Sequence, residues 1–194
     1  MKSKVAIVTP GSFAIPSERN SSVEQAVSQI CEHLKDNVQF YIFSKKTRTL
    51  PAREQRDGIM HYRPNDGSYV SAASARLRRI RPKLIQVENR PNTALVLKKR
   101  HPRTPVWLSM HSTQFLSAPH ISGQRLKQCL KAADKIIVNS RFMQDYLKSI
   151  VPGIEYKTAV NYLGFDPERF YPKWTATGQE SRNALLNELG YQDK

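Results

Sequence analysis

Five polar clusters punctuate the chain, and their residue types are those that hold anions and hydroxyl groups: Gly11 with Ser12, Asn20 with Ser21 and Ser22, Glu88-Asn89-Arg90, His111 with Ser112, and Ser140 with Arg141. Asn20, Ser21 and Ser22 open an amphipathic segment. At the start of a helix, free backbone N–H groups and the dipole favour an anion, so a phosphate is a natural guest there. Glu88, Asn89 and Arg90 offer an acceptor, a bifunctional amide and a planar cation, able to hydrogen-bond hydroxyls or a phosphate. Each cluster also has a plain structural reading: a turn at Gly11, a solvated loop at 88–90, a satisfied histidine at 111 and a helix N-cap at Ser140.

The elements that position these clusters follow from periodicity. Val5-Ala6-Ile7-Val8 is a short apolar strand that leads through Thr9-Pro10-Gly11 to a helix, where Val23, Ala26, Val27, Ile30, Cys31 and Leu34 recur at three-and-four spacing. In this reading Glu24 lies on the wet side, and Ser21 with Glu24 forms a capping box that satisfies backbone amides of the first turn. Strands follow at 38–43 and 58–63, separated by a polar stretch, 44–57, read as a loop with some helical character. Asn65-Asp66-Gly67 is turn chemistry, and a helix over 68–80 ends before Pro82. The strand 84–87 empties into Glu88-Asn89-Arg90, a helix spans 92–100, and the strand 106–110 empties into His111. A helix at 124–133, the apolar strand 135–138, a helix after Asn139-Ser140-Arg141 and a strand at 158–163 complete the alternation. Apolar strands alternating with amphipathic helices predict an α/β fold, a Rossmann-like, doubly wound, mostly parallel sheet. In such sheets ligands sit at the carboxyl ends of the strands near the switch in strand order, which is where these clusters fall.

Composition narrows the function. The 194 residues carry a net charge of +15 and are 39% hydrophobic, enough for one substantial core. Between Arg76 and Arg103 stand ten Lys and Arg against the single acid Glu88, a field that attracts a polyanion: nucleic acid, an anionic membrane or a phosphorylated glycolipid. The run lacks aromatics for base stacking and any nucleic-acid-binding motif, so nucleic acid is the disfavoured partner. The N-terminal apolar run ends at Pro10, too short for a secretory segment, and no stretch reaches membrane-spanning length, so a cytoplasmic protein is expected. Cys31 and Cys129 lie on apolar helix faces without metal-ligand neighbours and read as reduced core thiols; no metal site is expected. A nicotinamide dehydrogenase is excluded at the first loop, where Gly11 stands without the partners of a G-x-G-x-x-G turn.

Several of these segments in collinear order, 16–34, Val87-Glu88-Asn89-Arg90-Pro91, Trp107-Leu108-Ser109-Met110-His111-Ser112, 133–140 and 164–172, resemble the N-terminal half of a family-four glycosyltransferase of GT-B fold, nearest in type to the spore-coat, capsule and lipopolysaccharide members. The resemblance implies an acceptor-side domain at 1–172, then a linker and first helix at 173–194 leading to a donor-binding domain. It implies a retaining, metal-independent transfer from a nucleotide-sugar donor to a glycan or lipid-linked acceptor in cell-surface glycan synthesis, with no cofactor. It makes His111 the catalytic residue beside the donor sugar. Gly11, Ser12, Asn20, Ser21 and Ser22 fall on the donor-diphosphate side, and Glu88, Asn89, Arg90, Ser112, Ser140 and Arg141 on the acceptor side. Asn20 and Ser21 stand where the family has two glycines, and Leu163 where it has Asn. The basic region 76–103 would meet the inner face of the plasma membrane, and the chain alone is expected to be inactive. Two other classes remain: a stand-alone carbohydrate- or anion-binding module, and a nucleic-acid-binding protein whose affinity would fall steeply with salt.

Overall fold

The computed structural model describes residues 2–16, 21–64, 67, 69–164 and 171–191. The predicted Asn65-Asp66 turn, Ser68, the 165–170 segment and the site candidate Asn20 lie outside them. The chain divides into two units, Met1–Tyr162 and Leu163–Lys194.

The first unit carries one eight-stranded sheet in the order β3-β4-β2-β1-β5-β6-β7-β8, from β1 (Ser3–Val8), β2 (Val38–Phe43), β3 (Arg53–Arg56), β4 (Ile59–Tyr62), β5 (Leu84–Glu88), β6 (Val106–Met110), β7 (Lys135–Val138) and β8 (Thr158–Val160). Every pairing is parallel except β3 on β4, which is antiparallel at the edge. The helices are α1 (Ser22–Leu34), α2 (Tyr69–Ile80), α3 (Pro91–Arg100), α4 (Gly123–Ala132) and α5 (Arg141–Ile150). Alternation along the strands divides two cores. Ile7, Phe40 and Ile42 meet Val27 and Cys31 of α1. Ala6, Val8, Tyr41 and Phe43 face the other way, into a larger core with Ala73, Leu77 and Ile80 of α2. A sheet covered on both faces explains why its strands read as nearly unbroken apolar runs. Because β1 pairs with β2 on one side and β5 on the other, strand order reverses at β1, and the crevice beyond the carboxyl ends of β1 and β5 is the switch point.

Three expectations are corrected. The 44–57 stretch holds the exposed edge strand β3, joined to β4 by Asp57 (φ 50°) and Gly58 (φ 82°), the two positive-φ positions of a tight hairpin turn. In α1 the buried side is Val23, Glu24, Val27 and Cys31, while Ile30 and Leu34 are 37% and 43% exposed, so Glu24 faces inward and the stripe is narrower than its spacing predicts. The last strand stops at Val160, leaving Tyr162 and Leu163 exposed.

In the second unit the helix α6 (Ala176–Glu188) is capped by Thr175, whose hydroxyl accepts from the Gly178 N–H at 3.1 Å. Both cysteines, Cys31 and Cys129, are free and buried, and burial pushes the Cys31 thiol up to about 12. Among the described residues no helix is long and apolar enough to cross a membrane.

Candidate active site

The carboxyl ends of β1, β5, β6 and β7 are consecutive in the sheet, so four of the five polar clusters emerge side by side along one edge. The central three residues, Glu88-Asn89-Arg90, have three separate tasks. Glu88 closes β5 with its side chain 1% exposed; Oε2 lies 2.8 Å from His111 Nε2, and Oε1 accepts from Gln86 Nε2 at 2.6 Å. Asn89 has φ +51°, the left-handed region that asparagine tolerates better than most residues. That bend lets Asn89 Oδ1 accept the His111 backbone N–H at 2.8 Å while its own N–H donates to the Ser109 carbonyl at 2.8 Å. Arg90 turns toward the β1 loop, donating from Nη2 to Ser12 Oγ at 3.4 Å and from Nη1 to the Asn89 carbonyl at 3.1 Å, with its guanidinium 4.0 Å from the centre of the Phe115 ring.

His111 is therefore fixed at both ends. Its ring touches Glu88 and stands 3.2 Å from Ser109 Oγ, and its carbonyl accepts from Asn139 Nδ2, at the end of β7, at 3.0 Å. The side chain is 14% exposed, and among the described residues Nδ1 has no hydrogen-bond partner. With Nε2 facing a buried carboxylate, the neutral ring carries its proton on Nε2 and presents the Nδ1 lone pair. Such a nitrogen can accept a hydrogen bond from a ligand hydroxyl, and the protonated ring can stabilise negative charge.

The loop after β1 is shaped from below. Gly11 has φ +76°, and a Cβ there would stand 3.4 Å from the Tyr69 ring. The Tyr69 hydroxyl reaches the Phe43 carbonyl at 2.7 Å and lies 3.1 Å from the Thr9 carbonyl; burial raises its pKa. Farther along, the wholly buried Arg63 donates to the Ile15 carbonyl at 2.7 Å and the Pro51 carbonyl at 2.7 Å and pairs with Glu54. Ser12 is exposed, facing Arg90.

At the start of α1, Ser21 is the N-cap, but its hydroxyl bonds the Glu24 carboxylate rather than a backbone amide, so the capping box is not formed. Glu24 Oε1 is buried and has no hydrogen-bond partner among the described residues. Ser22 is exposed on the first turn. Ser140 caps α5, accepting from the Met143 N–H at 3.2 Å, with Arg141 exposed beside it, and half-buried Ser112 follows His111. Sequence reasoning missed Gln86, Ser109 and Asn139. Gln86 and Ser109 each lie two residues before a site residue, the spacing that puts side chains on one face of a strand.

The basic run does not form one patch. Arg76 stacks on Tyr62, Lys98 pairs with Asp134, and Arg100 donates to Ser71. Arg78, Arg79, Arg81 and Lys83 join Lys2 and Lys4 around a cavity of about 730 Å³ at the opposite end of the sheet from His111.

Comparison with known proteins gives the family and the fold. The profile described as Glycosyltransferase Family 4 matches residues 23–169. Spore coat protein SA of Bacillus subtilis (strain 168) is 28% identical over 191 residues, 98% of this chain and 50% of its own length, so the chain spans about half of that curated relative. Two crystal structures of Anabaena HepE superpose with TM-scores of 0.65 and 0.64 at 17% and 18% identity; they cover 98% and 100% of this chain and 50% and 51% of HepE, which binds UDP-glucose in one and UDP in the other.

Proposed function

The chain belongs to glycosyltransferase family 4, and on that premise we propose that it forms the acceptor-side half of a two-domain transferase moving a sugar from a nucleotide-sugar donor to a saccharide or lipid-linked acceptor, with retention of configuration and without a metal. The observation that carries this reading is His111, held by Glu88 at 2.8 Å and by Asn89 at 2.8 Å beside the switch point, with Nδ1 left for a ligand. A fixed imidazole there hydrogen-bonds a sugar hydroxyl and stabilises the charge that develops as the glycosidic bond to the diphosphate breaks. Gly11 and Ser12 border the donor diphosphate, with Ser21 and Ser22 on the same side. Arg90, Ser112, Ser140 and Arg141 face the acceptor. Glu88 and Asn89 reach a ligand through His111, since both Glu88 oxygens are engaged within the protein.

The setting we propose is cytoplasmic, in cell-envelope polysaccharide synthesis, with peripheral contact to an anionic membrane through the part of the basic run 76–103 that lines the groove, residues 78–83. The groove of Arg78, Arg79, Arg81 and Lys83 supports that contact. It lies at the far end of the sheet, so a membrane held there leaves the strand ends free toward solvent.

The reading is tested on the protein that carries both domains. UDP-glucose, the ligand of HepE, is the donor to try first. Nucleotide release that rises on adding a saccharide acceptor is the expected result. No release from UDP-, GDP- or ADP-sugars with any acceptor would overturn the proposal.

A further inference from the structure

Arg90 is a cation whose hydrogen bonds, among the described residues, all go to neutral groups. It is half-buried, burial lowers its pKa, and among the described residues it makes no ion pair. Glu24 is the acid whose field bears on it most; that carboxylate is buried, its Oε2 is bonded to Ser21, and among the described residues it forms no ion pair with Arg90. A guanidinium taken partly out of water ordinarily recovers its lost hydration from a carboxylate. Here its partners are neutral: the Phe115 face at 4.0 Å, the Asn89 carbonyl at 3.1 Å and Ser12 Oγ at 3.4 Å.

A second cation stands on the same side. Arg125 of α4 donates to Asn92 Oδ1 at 2.8 Å, two residues beyond Arg90, and to Gln128 Oε1 at 3.4 Å, again without a carboxylate. Neither α3 nor α4 has an acid in its first turn. Two guanidiniums therefore bracket the start of α3, pinned by neutral groups. Because Ser12 Oγ accepts from Arg90, its own O–H is free to donate outward.

We infer that the mouth between the β1 and β5 strand ends binds an oxyanion carried by the substrate, a phosphate or a carboxylate, with Arg90 as principal contact and Ser12 as supporting donor, Arg125 adding positive charge at the start of α3. The planar fork of Arg90, flattened on Phe115, is set to meet two oxygens at once. This deepens the transferase reading and rests on it: the anion is either the donor diphosphate or an acid group of the acceptor.

Inorganic pyrophosphate is the first probe, titrated into the 194-residue chain and followed by amide and guanidinium NMR at an ionic strength of about 0.15 M, where the Debye length of about 8 Å suppresses diffuse attraction to the net charge. Saturable shifts at Ser12, Arg90 and Phe115 are expected, with affinity at least tenfold lower in Arg90→Gln and partly kept in Arg90→Lys. Lys131→Gln, an equal charge change on the last turn of α4, should leave it unchanged. Non-saturable shifts, or equal weakening by Arg90→Gln and Lys131→Gln, would overturn the site. The amide spectrum of each variant reports whether it remains folded. Competition then separates the sources: displacement by UDP assigns the donor diphosphate, and displacement by glucuronate or glucose 1-phosphate, but not glucose, assigns an acidic acceptor. A two-domain protein that transfers no sugar while its chain binds pyrophosphate through Arg90 would sink the transferase reading and leave this site standing. The opposite pair of results would sink the site alone.

Discussion

Asn89 carries much of the site through one backbone angle. At φ +51° its side chain meets the His111 amide, and the neighbours Glu88 and Arg90 diverge, one to the imidazole and one to the β1 loop. The strand-end rule picked these three residues and His111 from the sequence alone, because a polar cluster after an apolar run is visible without coordinates. It did not show that Glu88 is buried and serves His111, since burial depends on β6 lying beside β5. The geometry predicts that the neutral ring of His111 carries its proton on Nε2. Nitrogen NMR of the chain at alkaline pH checks this: a bare Nδ1 is expected, and Glu88→Leu should release the preference. Elsewhere, His61 is buried on β4, and burial with the nearby Arg63 charge lowers its pKa from 6.5 to about 4. A depressed pKa means the unfolded chain binds the proton first, so the stabilisation is complete above pH 6.5 and is lost as pH falls toward 4. That amounts to about 3 kcal/mol in all. Urea unfolding between pH 6.5 and 5 should show the decline, and His61→Leu should flatten it.

At the scale of elements, most boundaries were legible because strands covered on both faces leave long apolar runs and the helices between them have one wet side. The errors have local causes. The edge strand β3 is four polar residues, Arg53–Arg56, recognisable only by the Asp57-Gly58 turn that follows it. In α1 the turn toward Glu24 was hidden because a carboxylate is normally assigned to solvent, whereas here Ser21 holds one of its oxygens. Arg63 gave no sequence signal, yet it joins Ile15, Pro51 and Glu54 and so holds the end of the β1 loop. Arg63→Met should cost about 3 kcal/mol by leaving buried carbonyls unpaired. Chemical denaturation measures the cost, and a change below about 1 kcal/mol would show that the loop is held by other contacts.

Over the whole molecule, part of the positive charge gathers in two separate places. Arg90 and Arg125 stand by the site, while the groove of Lys2, Lys4 and residues 78–83 lies at the other end of the sheet. Sequence could not separate them, because Lys2 and Lys4 reach that groove only through the pairing of β1 with β5. The account as a whole stands on His111 as the residue that works on the transferred sugar. The direct measurement is the rate of sugar transfer by the two-domain protein with His111→Ala, beside its thermal unfolding. A loss of about a hundredfold or more in turnover, with unfolding little changed, is predicted from the removal of a pre-organised donor or acceptor at the reacting centre. Turnover within twofold of the unaltered protein would remove His111 from the site and contradict the account.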